Sequence, residues 1–356
     1  MWNKMLSLII NAVSIGLIFG LVSVGVFISF RILDFPDLTV DSSFVLGGAV
    51  SATLIMGFGL SGWLTIPFAF AAGCLAGLTT AWLHLRFNIL HLLASILTML
   101  ALFSVNIFLM GLGQGMAAYR KALASGADNA SSALIEQVKT GRAQLYISDT
   151  ITRDFDFLKA PIKNSFLGDF LRTKDVIDPL ISLPVVIIII GLIIIFLRSE
   201  YGLALRAVGA NKRMAQANGI NTKSKIYVGM ALSNGLVALG GLFYSHLFHS
   251  SADTSLSIGI IVYGLAGVII GETILPFKSI AGRVFAVVIG SITYRIAIMI
   301  ALNNTILPMP TYFIRIASAS IVAIALIIPF LHKEHKARQI AKSFKDKFQE
   351  KEEAAI

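Results

Sequence analysis

Residues 6–30 read LSLIINAVSIGLIFGLVSVGVFISF and contain no ionisable side chain. About 20 apolar residues of helix cross the hydrocarbon core of a bilayer. Backbone polar groups in lipid must be satisfied within the segment, so a run of this kind becomes a spanning helix. One such run could be a buried helix of a large soluble protein. A succession of them argues against that reading. The runs fall at 6–30, 44–60, 63–83, 89–111, 180–197, 226–248, 258–275, 280–302 and 312–331. Composition agrees, with 56% hydrophobic and 13% charged residues, against roughly 25% charged in a soluble domain. The expected fold is an all-α polytopic membrane protein of about nine transmembrane helices, some broken. The first run is too long for a signal peptide, and no small-residue cleavage site precedes Arg31. It reads as a retained span.

The net charge of +10 does not point to nucleic acid, because of where the charge lies. Segment 198–225 carries Arg198, Arg206, Lys212, Arg213, Lys223 and Lys225 against Glu200, and the tail after Leu331 carries seven more basic residues. Lys and Arg favour cytoplasmic loops. The four intervening runs allow both segments to be cytoplasmic, which puts the N-terminus outside. The organisation expected is therefore 1–111 with helices 1–4, an extracytoplasmic insertion at 112–178, and 179–331 with helices 5–9 and the loop 198–225. A basic tail at 332–356 completes it.

The insertion holds nine basic and eight acidic residues and is too long to be a plain connection. The tail places Ala337, Ile340, Ala341, Phe344 and Phe348 on one helical face among lysines. That pattern suits either a helix lying on anionic headgroups or a solvated helix. Spans 1–4 and 6–9 could form two inverted four-helix repeats joined by span 5, an arrangement transporters often use.

Several chemistries are excluded. The single cysteine, Cys74, allows no internal disulfide and no Cys-based metal site. No GxxxxGK[ST] phosphate loop is present. Gly57-Phe-Gly59-Leu-Ser-Gly62 matches GxGxxG by letters only, without a preceding strand. It reads as a tight turn. Pairs at helix-packing spacing, Gly16/Gly20, Gly73/Gly77 and Gly267/Gly271, let backbones approach closely.

Polar residues near or inside the spans are the candidates for a solute path. Asp34, Asp37 and Asp41 flank Pro36, which breaks helix. A broken helix offers backbone groups to a polar solute, and helix capping is the competing role. Arg295 and Arg315 lie within or near the outer halves of spans 8 and 9. An intramembrane arginine is paired or faces a cavity, so each suits a solute carboxylate or a structural ion pair. Glu272 reads as interfacial. His246 and His249 make no convincing metal site.

On the cytoplasmic side, Asn211 caps a short helix that Gly219 stops, with Met214 and Ala215 among cationic residues. Such an element either docks a soluble partner or is an ordinary basic loop.

The string YGLALRAVGANKRMAQANGINTKSKIYVGMALSNGLVALGG at 201–241 resembles the loop and following helix of ABC-importer permeases of the branched-chain amino-acid and ribose superfamily. FRILDFPDLTVDSSFVLGGAV at 30–50, SADTSLSIGIIVYGLAGVIIGETI at 251–274 and IGSITYRIAI at 289–298 resemble its tryptophan/tyrosine-type branch. The likeness covers about 1–111 and 180–331. It implies a permease subunit of an ATP-driven importer in the bacterial cytoplasmic (inner) membrane, working by alternating access. The implied partners are a second copy, an ATP-binding-cassette ATPase dimer that holds the ATP and Mg, and an extracytoplasmic substrate-binding protein. This chain would bind no cofactor and no nucleic acid and would have no ATPase site or catalytic residue of its own. The implied cargo is an amino acid or related small polar solute.

The resemblance assigns coupling to Arg206, Ala207, Gly209, Asn211, Arg213, Met214, Gly219 and Asn221. It assigns the substrate path to Asp37, Thr39, Asp41, Asn234, His246, Asp253, Arg295 and Arg315. Four departures fall away from the cytoplasmic loop: the insertion itself, Ser42 for the usual glycine, His246 for glutamine, and the turn NNTILPMPTYFIRI. The rival class is an ion-gradient-driven secondary transporter, which needs titratable groups deep in the membrane.

Overall fold

In the computed structural model, helix α1 (Trp2–Val26) continues through a π-helical turn, Phe27–Ile32, to a break. Helix α2 (Thr39–Phe58) restarts beyond it and is followed by α3 (Gly62–Phe87) and α4 (His91–Ala124). From the insertion come α5 (Ala130–Thr140) and strand β1 (Gln144–Tyr146). Helices α6 (Lys174–Arg198), α7 (Glu200–Ala210) and α8 (Lys212–Ala217) lead into α9 (Thr222–Tyr244). Helix α9 also runs into a π-helical turn, Ser245–His249. Strand β2 (Ser251–Asp253) and a 3₁₀ turn (Thr254–Ser257) follow, then α10 (Ile260–Ile274) and α11 (Ile280–Leu302). The structure describes residues 2–125, 130–141, 144–146, 174–249 and 251–302, with 316, 319, 320 and 323. Two compact units divide the chain, Met1–Met299 and Ile300–Ile356.

Among the described residues seven helices are long and apolar enough to cross a membrane. An eighth is added if Pro184–Arg198 and Glu200–Ala210, which meet at 73°, count as one broken span. These correspond to the first eight runs of the sequence. The ninth, 312–331, lies outside the described residues but for four positions, as does the basic tail. The described residues thus account for seven or eight of the nine expected spans. Helix α4 passes straight through residue 111, where composition placed the end of a span. Polarity changes there because the surroundings change, while LGQGMAAYRKALA keeps helix-forming residues through Ala124.

Helices α1, α2 and α9 form the buried centre. Leu21, Val22, Phe27, Phe44, Met230 and Leu242 are almost wholly enclosed. Large apolar side chains on the outer helices, such as Phe68, Leu75, Leu100, Phe108, Ile188 and Leu192, stay exposed, as lipid-facing residues do. Lipid removes the hydrophobic drive between helices, so close backbone approach carries the packing. A methyl group at Gly241 of α9 would overlap the Phe44 carbonyl of α2, and one at Gly47 would overlap that of Ala238. The three glycine pairs seen in the sequence also lie at helix contacts: Gly16 and Gly20 on Ile292 and Val288, Gly73 and Gly77 on α9, Gly267 and Gly271 on Ser23 and Ala286.

Candidate functional site

The first break is built from local chemistry. In the π turn, Leu33 N donates to Ile28 O at 3.0 Å and Phe35 N to Ser29 O at 2.9 Å. Asp34 then takes a left-handed conformation at φ 55°, which short polar side chains tolerate. Pro36 has no N–H to extend the helix. Asp37 restarts it: its Oδ1 accepts from Thr39 N at 2.9 Å. Its Oδ2 accepts from Asn234 Nδ2 at 2.7 Å, midway along α9. Asn234 Oδ1 in turn accepts from Ser43 Oγ at 2.7 Å, and Thr39 Oγ1 pairs with Thr80 Oγ1 at 2.8 Å. Asp37, Thr39, Ser43 and Asn234 are wholly buried. This carboxylate is held by internal donors, as a buried charge must be, so it positions the break.

The second break repeats the device. Asp253 Oδ1 accepts from Ser255 N at 2.7 Å, and its other oxygen lies 3.9 Å from His249 Nε2. It has one feature the first lacks. Strand β1 of the insertion pairs antiparallel with β2, with Gln144 opposite Asp253, Leu145 opposite Ala252 and Tyr146 opposite Ser251. Leu145 is buried, its side chain beside Gly113 of α4. His246 points between α2 and α3. Its Nε2 lies 2.6 Å from Ser51 Oγ, which is 2.6 Å from Thr65 Oγ1. Thr65 donates to Gly62 O, so Ser51 donates to Thr65 and His246 donates from Nε2.

Asp41 joins the two breaks. Its Oδ1 accepts from Ile261 N at 2.7 Å and its Oδ2 lies 3.4 Å from Gly259 N. A carboxylate on the restarted α2 thus caps the restarted α10, where the helix dipole favours negative charge. One turn along α2, Phe44 stacks on Phe19 at 5.7 Å. Phe19 also meets Tyr244 at 5.5 Å and Tyr263 at 5.3 Å. The Arg295 guanidinium lies 5.9 Å from the Phe19 ring.

At the basic end, Glu272 holds two cations: Arg31 Nε at 3.1 Å and Arg283 Nη2 at 2.8 Å. It ties the first π turn to α10 and α11, which is more than interfacial exposure. The elbow of α7 and α8 lies at this end. Ser199 opens α7, accepting from Gly202 N at 3.4 Å. Asn211 accepts from Met214 N at 3.0 Å to open α8, and Asn221 from Ser224 N at 3.2 Å to open α9. Gly219 sits at φ 77°, which ends α8 without strain. Arg213 and Met214 are exposed, while Arg206 and Ala207 are half-buried. Gly209 faces inward: a methyl group there would overlap the Ile32 carbonyl at the edge of the first break.

The residues named from sequence thus separate. Asp37, Thr39 and Asn234 form one buried node, Asp41 links the breaks, His246 is internal, and Asp253 caps the second break. Arg295 meets the aromatic cluster, and Arg315 lies outside the described residues. Sequence reasoning missed Phe19, Phe44, Tyr244 and Tyr263, and the insertion strand. Asp41 and Phe44 share a helical face by their spacing, a usable signal, but nothing local links four rings from four helices. Among the described residues no group of three or more His, Cys, Asp or Glu side chains could hold a metal ion.

Residues 8–331 match the family described as the permease component of branched-chain amino acid transport systems. A tyrosine transport system permease protein of Clostridioides difficile is 30% identical over 296 residues, 83% of each chain. An uncharacterized protein of Rickettsia prowazekii is 28% identical over 309 residues, 85% of this chain and 92% of that one. A probable branched-chain amino acid transport permease protein of Methanocaldococcus jannaschii is 23% identical over 221 residues, 62% of this chain and 60% of that one. The multi-pass helical fold and the extent of the match agree: this chain belongs to the branched-chain amino acid transport system permease family and is a transport permease subunit.

Proposed function

We propose that this permease is the membrane-spanning subunit of an ATP-driven importer for an amino acid or closely related solute, resident in a bacterial cytoplasmic membrane. ATP and Mg bind to partner ATPase subunits, one for each of two permease copies, and an extracytoplasmic binding protein delivers the solute. The observation that carries this reading is the two-sided elbow. One side offers Met214 and Arg213 to solvent. The other side seats Gly209 against Ile32, a few residues before the Asp37 node and Thr39. A push on α8 therefore has a direct mechanical route to the first break, with no covalent step in this chain. Arg206, Ala207, Asn211, Gly219 and Asn221 shape the elbow, and Arg213 and Met214 make the contact.

The rival, an ion-gradient-driven transporter, needs a titratable group free to exchange ions in the membrane. Asp37 is instead enclosed by its own hydrogen bonds, which favours the ATPase-coupled reading. The test is Arg206→Glu with Met214→Asp. A folded, monodisperse protein that no longer co-purifies with its ATPase is expected. Wild-type co-purification of the double variant, or vesicle transport that needs no ATP and collapses with the proton gradient, would refute the proposal.

A further inference from the structure

The amino end of a half-helix near the middle of a bundle is the usual receptor for an anionic group. Here α10 presents such an end, and it is already taken. Asp41 accepts from Ile261 N and caps Gly259 N, so a cargo carboxylate approaching α10 would meet a carboxylate. An anion must be received elsewhere. Arg295 lies well inside the span Ile280–Ile300, where a guanidinium is costly unless it is paired or faces a cavity. Among the described residues no carboxylate lies within ion-pair distance of it, and its contact there is the Phe19 ring at 5.9 Å.

Asp41 and Arg295 are bridged by rings. Phe44 shares the face of Asp41, Phe19 stacks on Phe44, and Tyr244 and Tyr263 close around Phe19. The rings of Phe19 and Phe44 are buried, whereas Asp41, Tyr244, Tyr263 and Arg295 are half-buried. Asp41 spends two acceptor sites on α10, and a carboxylate has about four, so it can still take donors from a cation. A negative group, an aromatic surface and a positive group follow one another across four helices.

We infer that Arg295 receives the carboxylate and Asp41 the ammonium of a zwitterionic cargo whose apolar or aromatic side chain rests on the half-buried Tyr244 and Tyr263 rings, which Phe19 and Phe44 back from inside. This rests on the amino-acid reading above and adds which residues recognise which end. The α10 amino end serves as the anchor of Asp41.

The experiment reads uptake of radiolabelled L-tyrosine and L-leucine by the complete transport complex in proteoliposomes, and reads competition as equilibrium binding of the same probes to the permease–ATPase complex without its binding protein, so that the permease alone selects. Competitors are tyramine, which lacks the carboxylate, and 3-(4-hydroxyphenyl)propionate, which lacks the ammonium. Charge-assisted hydrogen bonds set the scale, so Arg295→Gln should lower uptake by roughly tenfold to a hundredfold. In that variant tyramine should compete as well as unlabelled tyrosine. Asp41→Asn should do the converse, with the propionate competing as well as tyrosine. Arg295→Lys should restore the wild-type order of competitors, which separates recognition from misfolding. If the wild type imports either probe but the variants keep its order of competitors, the residue assignment is wrong and the amino-acid reading stands. If the wild-type complex imports neither probe, the amino-acid reading fails and the assignment fails with it.

Discussion

Asp37 and Asp253 each accept a backbone N–H from the residue two positions on, at 2.9 and 2.7 Å. Each follows a long helix that ends in a π-helical turn. Asp37 is wholly buried and bound to the middle of α9, while Asp253 is half-buried beside His249 and a strand from the insertion. The same local device is therefore fixed by the core at one break and left adjustable at the other. One break lies between spans 1 and 2 and the other between spans 6 and 7, and interrupted segments of this kind mark the working region of a transporter. The difference predicts unequal sensitivity, with loss of the aspartate costing more at the first break than at the second.

The largest expected effect is at the first break. Asp37→Ala leaves Thr39 N without its acceptor and one of the two Asn234 Nδ2 hydrogens unpaired, the other still reaching Met230 O at 3.2 Å, in a buried site. The loss is about 3 kcal/mol or more, at roughly 1–3 kcal/mol for each unsatisfied donor. It would be read as a large drop in thermal midpoint of the purified protein. Leu145→Ala comes next. Removing a buried leucine costs about 2 kcal/mol or more, and here it should also free the insertion strand, seen as faster amide exchange at Ser251–Asp253. Asp253→Ala should cost least, about 1 kcal/mol for a lost cap, with transport changed more than stability. Equal losses for the two aspartates would break the comparison. A larger loss at Asp253 would reverse it.

Much of the fold was legible in the chain. Eight of the long apolar runs are helical spans or parts of one, because lipid leaves the backbone no other solution. Pro36, Asn211, Gly219 and Asn221 punctuate the helices where their chemistry says they should. The elbow could be located from its caps and charges. The inward direction of Gly209 could not, since a glycine that fits against another backbone looks like one that permits a turn.

The site divides in the same way. Local chemistry marked Asp37, Asp41 and Arg295 as polar residues in or near the spans, and the family resemblance added Asp253. Which of them is consumed by the fold was decided by tertiary structure. Asp37 is closed off by Asn234 from a helix far along the chain, and Asp41 is turned onto the start of α10. The aromatic rings between Asp41 and Arg295 come from separate helices. Sequence determines the solvent of each segment and where the backbone can break, because those depend on local apolarity and capping. Partners across the bundle depend on which helices pack together, and that is settled only when the glycine faces of α2, α3 and α9 meet.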